Sequence, residues 1–158
     1  LSAPDGSVYT TALAALTGNM GARQVVELDY WTCAAEACAS RGAGAGYPMK
    51  TTNIEKWPNI LILHLLRWTA TGELVQHAVA PDLYLKIRRT EYALRAVVTH
   101  EGVTPQSGHY IAFAARAGRW HVCSDENIRL ATQSEMISFV RSGSVGHTYL
   151  LFYEKFAE

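Results

Sequence analysis

Ser107-Gly108-His109-Tyr110-Ile111-Ala112-Phe113, followed by Gly118-Arg119-Trp120-His121-Val122-Cys123-Ser124-Asp125-Glu126, is the stretch on which the fold turns. Two β-prone runs, Tyr110 to Ala115 and Arg119 to Cys123, flank Arg116-Ala117-Gly118, a hairpin signal. With Ala117 and Gly118 as a two-residue turn, Arg116 pairs with Arg119, and counting back sets His109 opposite Glu126. Ser124 is then the diagonal neighbour of His109 on the same face, within hydrogen-bond reach of its imidazole. Asp125 pairs with Tyr110 on the other face unless a bulge turns it round. The hairpin by itself therefore builds a base plus an orienting hydroxyl, which suits activation of a thiol or hydroxyl nucleophile. The same spacing is met by a strand-end histidine beside ordinary turn residues.

Outward from the hairpin, Pro58 opens the run Asn59 to Trp68, apolar on both faces and so expected to be a central strand. Leu83 to Ile87, Tyr92 to His100 and Thr148 to Tyr153 read as further strands, and Gly102 to Gly108, with Pro105, as a loop. Val8 to Leu16 spaces Tyr9, Leu13 and Leu16 as one helical face, with Asp5 before and Gly18 after. Thr132-Gln133-Ser134-Glu135 is a capping box for a helix to about Val140, burying Met136, Ile137 and Val140. Gln24 to Trp31 is β-prone, whereas Cys33 to Tyr47 is rich in Gly and Ala and reads as a flexible excursion. Strand runs with helices at the ends predict an α+β fold, a mostly antiparallel sheet with short flanking helices.

The 158 residues suit one domain. Apolar residues make up 49% and charged residues 18%, which excludes a disordered or charged low-complexity chain. Fourteen basic residues balance fourteen acidic ones, so no net field draws in nucleic acid or an anionic membrane. The apolar run around Ile60 to Leu63 is far too short to span a bilayer. Three cysteines, Cys33, Cys38 and Cys123, are an odd count that suits a reducing, intracellular compartment, cytoplasmic or nuclear. The chain opens on Leu1 without a signal peptide and is expected to be a piece of something longer.

The hairpin resembles the histidine box of the ubiquitin-specific proteases, the papain-like cysteine deubiquitinases. Three more segments match in the same order: Trp57-Pro58-Asn59 through Arg67-Trp68, Tyr92 to Gly102 with Ala96-Val97-Val98-Thr99-His100-Glu101-Gly102, and Thr148-Tyr149-Leu150-Leu151-Phe152-Tyr153-Glu154. The resemblance covers nearly all of residues 1–158 but only the C-terminal palm part of the family domain. It implies that His109 is the general base for a thiol, and that Gly108 and Tyr110 border the channel for the C-terminal tail of ubiquitin. The family's third triad position, usually Asp or Asn, holds Ser124 here. Some members use serine there, and a neutral hydroxyl accepts the imidazole N–H but stabilises imidazolium less than a carboxylate. Ser124 is therefore the expected orienter, with Asp125 as a helper.

The family's nucleophile sits in a Gly-Asn-Thr-Cys box on a helix N-terminus, and nothing here matches it. Gly18-Asn19-Met20-Gly21 has glycine at the cysteine place. The resemblance thus implies a deubiquitinase whose cysteine precedes Leu1. It would hydrolyse the (iso)peptide bond after ubiquitin's C-terminal glycine, with ubiquitin and ubiquitinated proteins as partners and no cofactor. The alternative is a ubiquitin-binding or scaffolding pseudoprotease that has lost the cysteine. A hydrolase using Cys33 lacks a helix N-terminus to lower the thiol pKa. Cys33 and Cys38 fall where the family carries half of a zinc ribbon, but their spacing is not Cys-x-x-Cys and no other pair exists, so no metal is expected. Cys123, Trp68, Trp120 and His64 are expected to be packing residues, His64 in the core. His77, His100, His121 and His147 lack metal-ligand spacing.

Overall fold

The computed structural model describes residues 11–20, 23–25, 49–51, 53–104, 106–142 and 147–156. The elements run α1 (Ala12–Asn19), β1 (Arg23–Val25), β2 (Met49–Thr51), β3 (Ile60–His64), β4 (Tyr84–Ile87), β5 (Thr90–Thr104), β6 (Ser107–Arg116), β7 (Arg119–Ser124), β8 (Asn127–Ala131), α2 (Gln133–Ser142) and β9 (His147–Lys155). β1 and β2 form a separate antiparallel pair. The main sheet has the order β3-β9-β5-β6-β7-β8, with β4 beside the first residues of β5, and every pairing in it is antiparallel. The expected α+β architecture is the one found.

The β6–β7 hairpin closes where the sequence places it. Ala117 and Gly118 have φ of 49° and 73°, the left-handed pair a type I′ turn demands. The ladder runs from Arg116–Arg119 to Ala112–Cys123. Beyond it the extrapolated pairing of His109 with Glu126 does not form. The chain turns at Asp125 and Glu126 so that Ser124 pairs with Asn127 of β8. β8 was not expected; its signal is the alternation of Ile128 and Leu130 directly after the turn residues.

One face of the sheet is the core. Leu61, Leu63, Leu94, Val97, Phe113, Val122, Leu151 and Tyr153 are buried on it, and Met136 and Val140 of α2 join the same cluster. The capping box holds α2 as expected: the Glu135 N–H donates to Thr132 Oγ1 at 3.0 Å. In α1 the N-terminal group is Thr11, whose Oγ1 accepts the Ala14 N–H at 3.1 Å. The Leu13 N–H donates to Asp82 Oδ2, tying the helix to the loop before β4. Asp5 and Tyr9 lie outside the described residues, as do Trp31, Cys33 to Tyr47 and the expectations placed on them.

Three further expectations change. β3 is not central: among the described residues it pairs only with β9. Leu61 and Leu63 go into the core, while Ile60 and Ile62 stay 50% and 53% exposed on the other face. A strand apolar on both faces can thus sit at an edge when its second face is left open. His64 is exposed, not core, with its ring edge-on to Tyr149 at 4.7 Å. The expected loop from Gly102 is largely strand, since β5 continues to Thr104 with a register shift after Glu101 and β6 begins at Ser107.

Candidate active site

His109 lies near the start of β6 and Ser124 at the end of β7, two strands that the type I′ turn holds in register. His109 Nε2 and Ser124 Oγ are 2.7 Å apart. With Ser124 accepting the Nε2–H, Nδ1 keeps its lone pair, the state a proton acceptor needs. Asp125 has φ of 50°, a left-handed conformation that Asp tolerates better than most residues. That turn swings its carboxylate to 3.7 Å from His109 Nδ1. At that distance the carboxylate does not fill the nitrogen. Asp125 is 77% exposed and His109 37%, so solvent screens the pair. Sequence geometry thus found Ser124 by its diagonal and missed how Asp125 arrives: a tight turn brings it, not a bulge.

A cleft of about 350 Å³ opens beside Ser124, walled by Ile111, Phe113, Val122, Ile128 and Phe139. Gly108 has a φ of 155° and is exposed at the start of β6, and Tyr110 is 46% exposed on the opposite side of that strand from His109. Cys123 is half-buried and pairs with Ala112 and Ile128, so strand alternation turns it to the face away from Ser124. Trp120 is buried as expected, and Trp68 sets its ring edge-on to His100 and Tyr149. Among the described residues, no group of three or more His, Cys, Asp or Glu could hold a metal ion, and no helix is long and apolar enough to cross a membrane.

At the start of β9 lies a buried polar group whose arginine the sequence shows only as part of a motif. Arg67 is 3% exposed. Its Nε donates to the Thr148 carbonyl at 2.6 Å and its Nη1 to the His77 carbonyl at 2.6 Å. Burial pushes its pKa down to about 10. Arg67 Nη2, His100 Nδ1, Glu101 Oε1 and His147 Nδ1 are buried with no hydrogen-bond partner among the described residues. Desolvation, with repulsion from Arg67 and His100, holds His147 below the usual imidazole range. Such a group is neutral when folded but takes a proton in the unfolded chain near pH 6.5. The stability it contributes is therefore present above that pH and lost as pH falls below it. The urea midpoint should be lower at pH 5.5 than at pH 7.5, and His147→Asn should flatten the difference. Equal pH dependence in both proteins would remove His147 as the cause.

The family model described as ubiquitin carboxyl-terminal hydrolase matches residues 15–153. Ubiquitin carboxyl-terminal hydrolase 4 of Arabidopsis thaliana is 31% identical over 122 residues, covering 66% of this chain and 33% of its own length. Ubiquitin carboxyl-terminal hydrolase 2 of Homo sapiens is 33% identical over 120 residues, covering 67% of this chain and 18% of its own. The chain thus spans a third or less of these relatives. Among solved structures, that of the yeast SAGA DUBm has a TM-score of 0.70 at 23% identity, over 94% of this chain and 33% of that one. The SAGA DUB module Ubp8/Sgf11/Sus1/Sgf73 bound to monoubiquitin gives the same TM-score, identity and coverage. At that identity the likeness is one of fold, and the family rests on the sequence match: the chain belongs to the ubiquitin carboxyl-terminal hydrolase family, of the ubiquitin-specific protease type.

Proposed function

We propose that residues 1–158 are the histidine-bearing part of a cysteine deubiquitinase catalytic domain, whose nucleophile lies in a lobe outside this chain. The substrate is the (iso)peptide bond after the C-terminal glycine of ubiquitin, and the partners are ubiquitin and ubiquitinated proteins inside the cell. The observation that carries this reading is the 2.7 Å contact between His109 Nε2 and Ser124 Oγ. With Ser124 as the acceptor of that contact, Nδ1 is left to take a thiol proton. The family match and the ubiquitin-bound relative of the same fold support the choice of substrate.

In that role His109 Nδ1 accepts the thiol proton and the thiolate attacks the glycine carbonyl carbon. The imidazolium then hands its proton to the departing amine, leaving a thioester. Water, deprotonated by the same nitrogen, hydrolyses it and the thiol is restored. Ser124 fixes the tautomer, Asp125 adds a screened negative charge, and Gly108 and Tyr110 flank the path of the ubiquitin tail. Cys123 cannot be the nucleophile, because its side chain leaves β7 on the opposite face from Ser124.

Labelling the complete protein with an electrophilic ubiquitin C-terminal probe tests the reading. A modified cysteine outside residues 1–158 supports it, and a label on Cys33, Cys38 or Cys123 overturns the placement of the nucleophile. Ubiquitin binding without labelling would make the protein a pseudoprotease. Within an active enzyme, Ser124→Ala should lower kcat about tenfold, the loss of one modest hydrogen bond. Asp125→Ala should cost threefold or less, because its carboxylate is mostly solvated. The reverse order would make Asp125 the orienter.

A further inference from the structure

His100 is 2% exposed and sits across the ladder from Tyr110 on one side and His147 on the other. Its ring lies 4.6 Å from that of Tyr110 and 5.2 Å, edge-on, from that of Trp68. The chain doubles back over it at two glycines. A Cβ on Gly108 would stand 2.5 Å from His100 Nε2 and 2.7 Å from Cε1, besides overlapping the Glu101 carbonyl oxygen. A Cβ on Gly102 would stand 2.9 Å from His100 Cε1 and 3.0 Å from Gly108 Cα, besides overlapping the Ser107 carbonyl oxygen. The imidazole edge thus presses against both backbones, and any side chain at either glycine would hold them off.

We propose that His100 is a positioning residue for His109: its buried ring is the shelf on which the Gly102 and Gly108 backbones rest, and it sets where the next residue's imidazole stands. The inference rests on the reading of His109 as the base. What the ring contributes is shape. Its Nδ1 has no hydrogen-bond partner among the described residues, and the charged and titratable groups around it are Arg67, His147, Glu101 and Tyr110. Removing the shelf lets the Gly102–Gly108 end sink, and Gly108 carries His109 away from Ser124. A displacement near 1 Å at a reacting group is enough to cost up to a hundredfold in rate.

The test is a kinetic comparison of His100→Ala and His100→Phe in the complete protein, on a ubiquitin C-terminal fluorogenic amide. His100→Ala should lower kcat about tenfold with KM within twofold. His100→Phe, which keeps a ring of similar breadth, should retain kcat within threefold. Folded protein is counted separately by circular dichroism, so a loss of kcat no larger than the loss of folded protein overturns the proposal. So does a kcat within twofold of wild type, or a phenylalanine variant as impaired as the alanine one. Should His100→Ala not fold, His100→Leu takes its place in the comparison. His109→Ala in the same assay separates the two levels. An active His109→Ala overturns the reading of the base and this inference with it. An inactive His109→Ala beside an unaffected His100→Ala overturns the positioning role alone.

Discussion

His109→Ala in the complete protein should lower kcat for a ubiquitin C-terminal amide by about a thousandfold, within the range measured for losing a positioned acid–base group, while ubiquitin affinity stays within twofold. The side chain is 37% exposed and absent from the core cluster, so its loss should leave the melting temperature unchanged. What disappears is the imidazole held against the Ser124 hydroxyl. Without it, a free thiol with a pKa near 8.5 is mostly protonated at neutral pH, and the departing amine has no positioned proton donor. Calorimetric titration with ubiquitin beside steady-state kinetics reads both quantities. Activity within tenfold of wild type would end the assignment of His109 as the base.

Phe113→Ala is the second large effect, and it acts through stability. Phe113 is 1% exposed on the same strand as His109, and its ring packs 5.2 Å from Phe139 of α2. Removing a buried phenylalanine costs about 3–5 kcal/mol, part transfer and part cavity. For a domain this size that corresponds to a melting temperature lower by roughly 6–20 °C. Urea denaturation of the complete protein checks it. A cost under 1 kcal/mol would mean that β6 is not anchored by α2. The two substitutions lie four residues apart on one strand and should give different signatures, lost turnover at full stability against a large loss of stability.

What the sequence discloses is what is local. The β6–β7 register follows from Arg116-Ala117-Gly118 because turn type fixes pairing within a few residues, and α2 follows from Thr132 and Glu135 because a cap is a three-residue contact. From that register the Ser124 diagonal is legible in the sequence itself. The errors are where non-local information decides. Nothing in Ile60-Leu61-Ile62-Leu63 says whether a second strand lies beyond it, so β3 read as central and stands at an edge. His64 read as core for the same reason. Asp125 and Glu126 carry no glycine to announce a turn, so β8 went unseen. His100 was passed over because its partners, Gly102, Gly108, Tyr110 and Trp68, are apolar or backbone, and a search by ligand spacing does not register shape.

Ser124 follows His109 by 15 residues, and the hairpin between them is among the fastest structures a chain can form, in about 1–10 μs. Closing so short a loop also costs little entropy, since each doubling of loop length adds only about 0.6 kcal/mol. In the proposed reading, the hairpin brings His109 and Ser124 together by local contacts, whatever supplies the nucleophile. In that reading a cysteine supplied by another lobe meets a base that the hairpin and the His100 ring of β5 have already oriented. Its alignment with that base becomes a question of how two preformed surfaces dock, and a change at their contact could silence the enzyme while every residue of the hairpin stays in place.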